Sequence, residues 1–229
     1  MAAAAPGPVR VGFIGLGIMA RPMAHNILRA GFSLVVQSRS PGPVEELVAA
    51  GARAAGDPAE LAATSDVAIV MVPDTADFEA VLDGPRGLLA GAQAGLIVVD
   101  MGTHDPSAMA VLAERCAEVG AELLDAPVSG GEVGAQEATL SIMVGGSEAA
   151  LERARPVLAA MGSRIVHIGG IGAGMVAKAC NQMIMVAAIE ARDPYTSGHS
   201  KRVAASAVTI AKALKLKPVE VERVQVAAL

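Results

Sequence analysis

Lys178 and Asn181 stand three residues apart in a stretch, 175–191, that holds neither proline nor glycine. On a helix that spacing puts both side chains on one face, where they can address a single ligand. A lysine ammonium is a fit donor to an oxygen that gains negative charge during carbonyl reduction. For the reverse reaction, alcohol oxidation, burial must first lower its pKa. A second group, Ser129, Gly130 and Gly131, follows an apolar segment ending in Asp125. It offers a hydroxyl and unobstructed backbone N–H groups to a small carboxylate. A third group, Gly15-Leu16-Gly17-Ile18-Met19-Ala20, is a G-x-G-x-x-A run between an apolar strand and a helix. There Gly15 permits a tight turn, Gly17 lets the backbone approach a pyrophosphate, and Ala20 allows close helix-to-sheet packing. The helix N-terminus attracts the anion.

A dinucleotide site of this kind expects an acidic residue at the end of the second strand to hold the ribose diol. The chain has Gln37-Ser38-Arg39-Ser40 there. Arg39, flanked by Ser38 and Ser40, can instead embrace a 2′-phosphate through paired charged hydrogen bonds, so the expected cofactor is NADP, with NAD as the alternative.

The elements that must carry these groups are legible as alternation. Short β-branched runs at 9–14, 33–37, 67–72, 96–100, 121–125, 140–144 and 164–167 read as strands. Between them 22–30, 43–50, 58–63, 106–119 and 148–161 read as helices, several opened by proline or an acidic residue. Strands apolar throughout imply burial on both faces. The predicted fold is α/β: a Rossmann-like, doubly wound, mostly parallel sheet over 9–170, a long interdomain helix at 171–192, and a short all-helical C-terminal extension at 193–229. Residues 1–8 are an Ala/Pro/Gly stretch expected to be disordered, without the features of a signal peptide.

Composition narrows the partners. Lys and Arg total 18 against 23 Asp and Glu, a net charge of −5, and aromatic residues are 2% of the chain, so neither a polyanion nor stacked single-stranded bases is an expected ligand. No apolar run approaches the ~20 residues of a membrane span. Cys116 and Cys180 are the only cysteines, too few for a disulfide framework and without metal-ligand spacing, which fits a cytoplasmic protein. His25, His104 and His167 fall in separate segments and read as structural or exposed, and no metal is expected.

Taken together, several motifs resemble the β-hydroxyacid dehydrogenases, the family of 3-hydroxyisobutyrate dehydrogenase and tartronate semialdehyde reductase. They are Gly15-Leu16-Gly17-Ile18-Met19, Met71-Val72-Pro73-Asp74, Asp100-Met101-Gly102-Thr103, Asp125-Ala126-Pro127-Val128-Ser129-Gly130-Gly131, and Gly172-Ala173-Gly174 leading to Lys178 and Asn181. The resemblance covers about 9–190. It implies cofactor contacts from Val72, Pro73, Asp74 and Thr103, carboxylate binding by Ser129, Gly130 and Gly131, general acid/base chemistry at Lys178, and positioning by Asn181. The implied reaction is NAD(P)-linked hydride transfer to or from a small 3-hydroxy acid or semialdehyde. Four positions depart from the family pattern: Gly102 stands where Ser is usual, Ala138 where Gly is usual, Ala20 where many members have Gly, and Gln182 where a second Asn is common.

The family's long helix leads into a large helical domain that closes the cleft and supports dimerisation. Here 190–229, with Asp193-Pro194-Tyr195-Thr196-Ser197-Gly198-His199-Ser200, instead resembles the start of an HD-GYP phosphohydrolase domain. The expectation is a truncated helical segment whose apolar stripe folds back on the sheet or pairs chains into a homo-oligomer. The alternative functions are an NADP-binding module without turnover and a fragment of a fused cyclic-dinucleotide phosphohydrolase.

Overall fold

The computed structural model describes residues 9–190 together with Lys212, Lys217, Pro218, Val219 and Val221. The expected extension at 193–229, with its resemblance to a second domain, and the N-terminal 1–8 therefore lie outside the described residues apart from those five positions.

Nine strands form one sheet among the described residues. Six of them, β1 (Arg10–Ile14), β2 (Ser33–Gln37), β3 (Arg53–Ala54), β4 (Val67–Val70), β5 (Ile97–Asp100) and β6 (Glu122–Asp125), run parallel in the order β3-β2-β1-β4-β5-β6. This is a doubly wound half-sheet whose order reverses between β1 and β4. Beyond β6 the sheet continues through β8 (Ser141–Gly145), which is antiparallel to both β6 and the two-residue β7 (Val128–Ser129) and parallel to β9 (Arg164–Gly169).

Alternation along each parallel strand fills two cores. On β4, Val67 and Ile69 join one apolar cluster while Ala68 and Val70 join the other, and Phe13 and Ile14 of β1 divide the same way. Helices cover both faces: α1 (Ala20–Arg29), α2 (Pro41–Ala49), α3 (Pro58–Ala63), α4 (Thr75–Leu82), α5 (Leu88–Gly91), α6 (Met109–Glu118), α7 (Gly131–Gln136), α8 (Glu148–Ala159) and α9 (Ala173–Glu190). Three of their starts are capped by the side chain of the preceding residue. Asp57 accepts the Glu60 N–H at 2.9 Å ahead of Pro58, Asp74 accepts the Asp77 N–H at 2.8 Å, and Ser147 accepts the Ala150 N–H at 3.0 Å.

The expected strands are present with ends shifted by a residue or two. The expected helix 106–119 is shorter at its start, at Met109, because Asp105 and Ser107 form a side-chain-capped turn there. Not anticipated were β3, β7, α4, α5 and α7, all of eight residues or fewer.

Candidate active site

The turn between β1 and α1 is shaped by contact as much as by sequence. Gly15 has φ +86°, and a side chain there would run into the Met71 carbonyl, so a glycine is required by both the backbone and the neighbouring strand end. Gly17 differs: a Cβ built on it meets nothing within 4 Å. The protein itself leaves that space open, and it opens onto a cleft of ≈ 570 Å³. Residues 14–20 form one wall, 37–40 another, and Met71, Val72 and Pro73 with Asp77, Ala80 and Val81 of α4 the third. A bare backbone at a helix N-terminus, facing an open cleft at the sheet's switch point, fits a dinucleotide pyrophosphate.

Of the expected cofactor residues, Gly15, Leu16, Gly17, Ile18, Met19, Ser38, Arg39, Ser40, Val72 and Pro73 line this cleft, whereas Asp74 and Thr103 do not. Asp74 is turned to cap α4. Asp77, which reads in the sequence as a strand-end or cap residue, instead reaches Arg39 across the cleft: Arg39 Nη1 lies 3.3 Å from Asp77 Oδ1 and Nη2 3.5 Å from Oδ2. Arg39 itself is 81% exposed.

The second group gathers at the start of α9. Asp125, the last residue of β6, is fully buried. Its Oδ1 accepts the Gly172 N–H at 2.7 Å and its Oδ2 the Met175 N–H at 2.8 Å. A carboxylate from the sheet thus caps the helix that carries Lys178. Gly174 lies so near the Met143 and Asp125 carbonyls that a Cβ would not fit. That close approach accounts for the small residues ahead of Lys178. Burial pushes the Asp125 carboxyl up to about 7, against the pull of the two N–H groups.

Lys178 is half-buried and its Nζ donates to Gln182 Oε1 at 3.1 Å. Burial lowers its pKa from 10.5. One turn along, Asn181 Nδ2 donates to Ser129 Oγ at 3.3 Å. The structure therefore joins Asn181 to the Ser129-Gly130-Gly131 turn, where Gly130 and Gly131 take φ of +135° and +62°. Lys178, Asn181 and Ser129 are not part of the cleft wall described above.

Of the departures from the family pattern, Gly102 and Gln182 have local partners, whereas Ala138 sits where glycine would be unstrained. A Cβ at Gly102 would run into the His104 ring. Ala138 holds φ +57°, a left-handed conformation that glycine adopts without strain. Gln182 reaches back one turn to hold Lys178. Among the described residues no group of three His, Cys, Asp or Glu side chains is placed to hold a metal ion, and no helix is long and apolar enough to cross a membrane.

A parallel half-sheet in this order, with a glycine turn at its switch point, defines a dinucleotide-binding domain of the Rossmann class. Residues 10–169 match the family described as the NAD binding domain of 6-phosphogluconate dehydrogenase, and the chain belongs to that family. It is 45% identical over 184 residues to 2-hydroxy-3-oxopropionate reductase of Escherichia coli (strain K12), a match covering 80% of this chain and 62% of that protein. It is 39% identical over 175 residues to the mitochondrial 3-hydroxyisobutyrate dehydrogenase of Mus musculus, covering 76% and 52% respectively. Among solved structures, Mycobacterium tuberculosis 3-hydroxyisobutyrate dehydrogenase with L-serine superposes with a TM-score of 0.75 at 33% identity, covering 93% of this chain and 68% of that one. These relatives bear out the resemblance to β-hydroxyacid dehydrogenases, and the chain spans 62% and 52% of the length of the two curated ones.

Proposed function

We propose that the chain is the cofactor-binding and acid/base part of an NAD(P)-dependent 3-hydroxyacid dehydrogenase, interconverting a small 3-hydroxy acid and its semialdehyde. The observation that carries the reading is a half-buried lysine on a helix pinned to the sheet at Asp125, in a chain whose glycine turn opens on a dinucleotide-sized cleft. In this reading residues 9–170 form the cofactor domain and 171–192 the interdomain helix.

When bound, the nicotinamide supplies or accepts the hydride. Ser129 and the N–H groups of Gly130 and Gly131 hold the substrate carboxylate, and Asn181, already bonded to Ser129, orients it. Lys178 gives a proton to the carbonyl oxygen in reduction and takes one from the alcohol in oxidation. Its lowered pKa supports the second role. Arg39, Ser38 and Ser40 receive the 2′-phosphate, which makes NADP the preferred cofactor. A cytoplasmic location, in keeping with the low cysteine count, belongs to the same reading. Homo-oligomerisation through the C-terminal helices belongs to the same reading.

The test is titration with NADPH and NADH by cofactor fluorescence, followed by turnover on a panel of small semialdehydes and 3-hydroxy acids. Submicromolar to micromolar NADPH binding, weaker NADH binding and turnover lost in Lys178→Met with binding intact are expected. Binding without turnover in the parent chain would remove the catalytic half of the reading. Tighter NADH than NADPH would reverse the cofactor preference.

A further inference from the structure

The loop after β5 holds a buried group that the reading above leaves unused. His104 is 7% exposed, and its ring lies 5.3 Å, centroid to centroid, from that of Phe78 on α4. Nδ1 is 2.6 Å from Oδ2 of Asp100, the last residue of β5, and Nε2 is 3.2 Å from the Val72 carbonyl oxygen. A carbonyl oxygen only accepts, so Nε2 carries a hydrogen and donates it to Val72. Asp100 is itself fixed, because its Oδ1 accepts the Gly102 N–H at 3.0 Å. On the far side the His104 backbone N–H donates to Met175 Sδ at 3.5 Å, on α9 three residues before Lys178.

Val72 is where this chain of bonds meets the cleft. It lines the wall that follows β4, and its Cγ1 approaches to 3.3 Å the place a Gly15 side chain would take. Pinning the Val72 carbonyl therefore sets the wall against the glycine turn. Gly102 completes the arrangement: the room a serine side chain would need there is filled by the His104 ring.

We propose that His104 is a positioning residue for the cofactor site: oriented by Asp100, it donates to the Val72 carbonyl and locks the cleft wall to the loop that touches the Lys178 helix. The proposal rests on the cofactor reading of the cleft. Losing one buried hydrogen bond to that wall is expected to weaken binding about tenfold.

The experiment titrates wild type, His104→Phe, Asp100→Ala and Asp100→Asn with NADPH by cofactor fluorescence, and measures KM and kcat wherever turnover is found. Phenylalanine keeps the ring packing on Phe78 and removes the donor. In Asp100→Asn the amide can accept the Gly102 N–H and donate to Nδ1, so the imidazole stays oriented, whereas in Asp100→Ala nothing holds it. Expected are Kd values for NADPH raised about tenfold in His104→Phe and Asp100→Ala, with Asp100→Asn restoring most of the affinity, and a change that falls on KM for NADPH rather than on kcat. A folded His104→Phe that binds as wild type does overturns the proposal. If that variant does not fold, Asp100→Ala and Asp100→Asn binding alike overturns it. Wild type binding neither NADPH nor NADH overturns the cofactor reading along with it, while wild-type binding that the variants leave unaltered overturns this proposal alone.

Discussion

Lys178 is one residue whose chemistry is set by its surroundings. Partial burial disfavours the ammonium and lowers the pKa from 10.5, so more of the amine is free to take a proton near neutrality. Under the proposed function the oxidation rate should therefore rise with pH through a pKa below 10.5, and the reduction rate should fall through the same pKa. Lys178→Arg, whose guanidinium stays charged, should lose the oxidation limb; a pH–rate profile in both directions measures this. In the cleft beside the glycine turn, Asp77 holds Arg39 in an exposed pair and sets a negative charge beside the expected 2′-phosphate. Exposed pairs contribute at most about 1 kcal/mol, so Asp77→Asn should tighten NADPH roughly two- to fivefold and leave NADH nearly unchanged. Fluorescence titration of both cofactors reads that ratio. These two cases also divide what was legible. Lys178, Asn181, Ser129 and Arg39 stand out by type and spacing, whereas the partnerships Arg39–Asp77 and Asp100–His104 span 38 and 4 residues. The first pair is joined only by folding. The second lies within local reach, but nothing in the residue types distinguishes a buried imidazole from a solvated one.

At the scale of elements, α9 depends on a strand for its start. Asp125 ionises near 3.8 when unfolded and near 7 when buried, so its contribution to stability is fully present below about pH 3.8 and is lost as pH rises through about 7. Asp125→Asn keeps one acceptor and turns an NH2 toward the second N–H, and it removes the titration. The stability advantage of wild type over this variant should shrink between about pH 4 and about pH 8, as denaturant unfolding at several pH values would show. The turn before β8 carries the opposite kind of local conflict, an alanine at φ +57°. Ala138→Gly should relieve about 1 kcal/mol, read as a rise in Tm. β4 and β5 announced themselves because both faces are buried and their sequences are almost uninterrupted in apolar residues. β3 and β7, with two residues each, are defined by pairing to β2 and β8 rather than by any run of their own. For α4 the signal was present, an Asp74 cap followed by Phe78, Val81 and Leu82 at helical spacing, but eight residues offer only two turns of periodicity.

For the molecule as a whole, the parallel half-sheet places the glycine turn, the Val72 wall and the loop after β5 at one edge, the carboxyl ends of the strands. The alternation of the chain predicts that layout, because parallel neighbours require crossovers and crossovers place the loops together. What it leaves undetermined is how the C-terminal residues are used. Val221 is 9% exposed and packs in a cluster with Val176, Ala177 and Cys180 of α9 and with Met143 and Ile168 of the sheet, so this point of the C-terminal segment is seated on the body of the chain. Val221→Asp should cost about 2 kcal/mol and lower Tm by roughly 5 °C in a thermal melt. The anchoring of α9 has a further consequence, for movement. Two N–H groups converge on one carboxylate, and sliding the helix along its axis would strip both bonds, whereas tilting it about Asp125 preserves them. Any movement of α9 against the Ser129 turn that keeps the helix cap intact is accordingly a pivot with its fulcrum at the end of β6, in which Lys178, close to the fulcrum, travels little and the far end of α9 sweeps the wider arc.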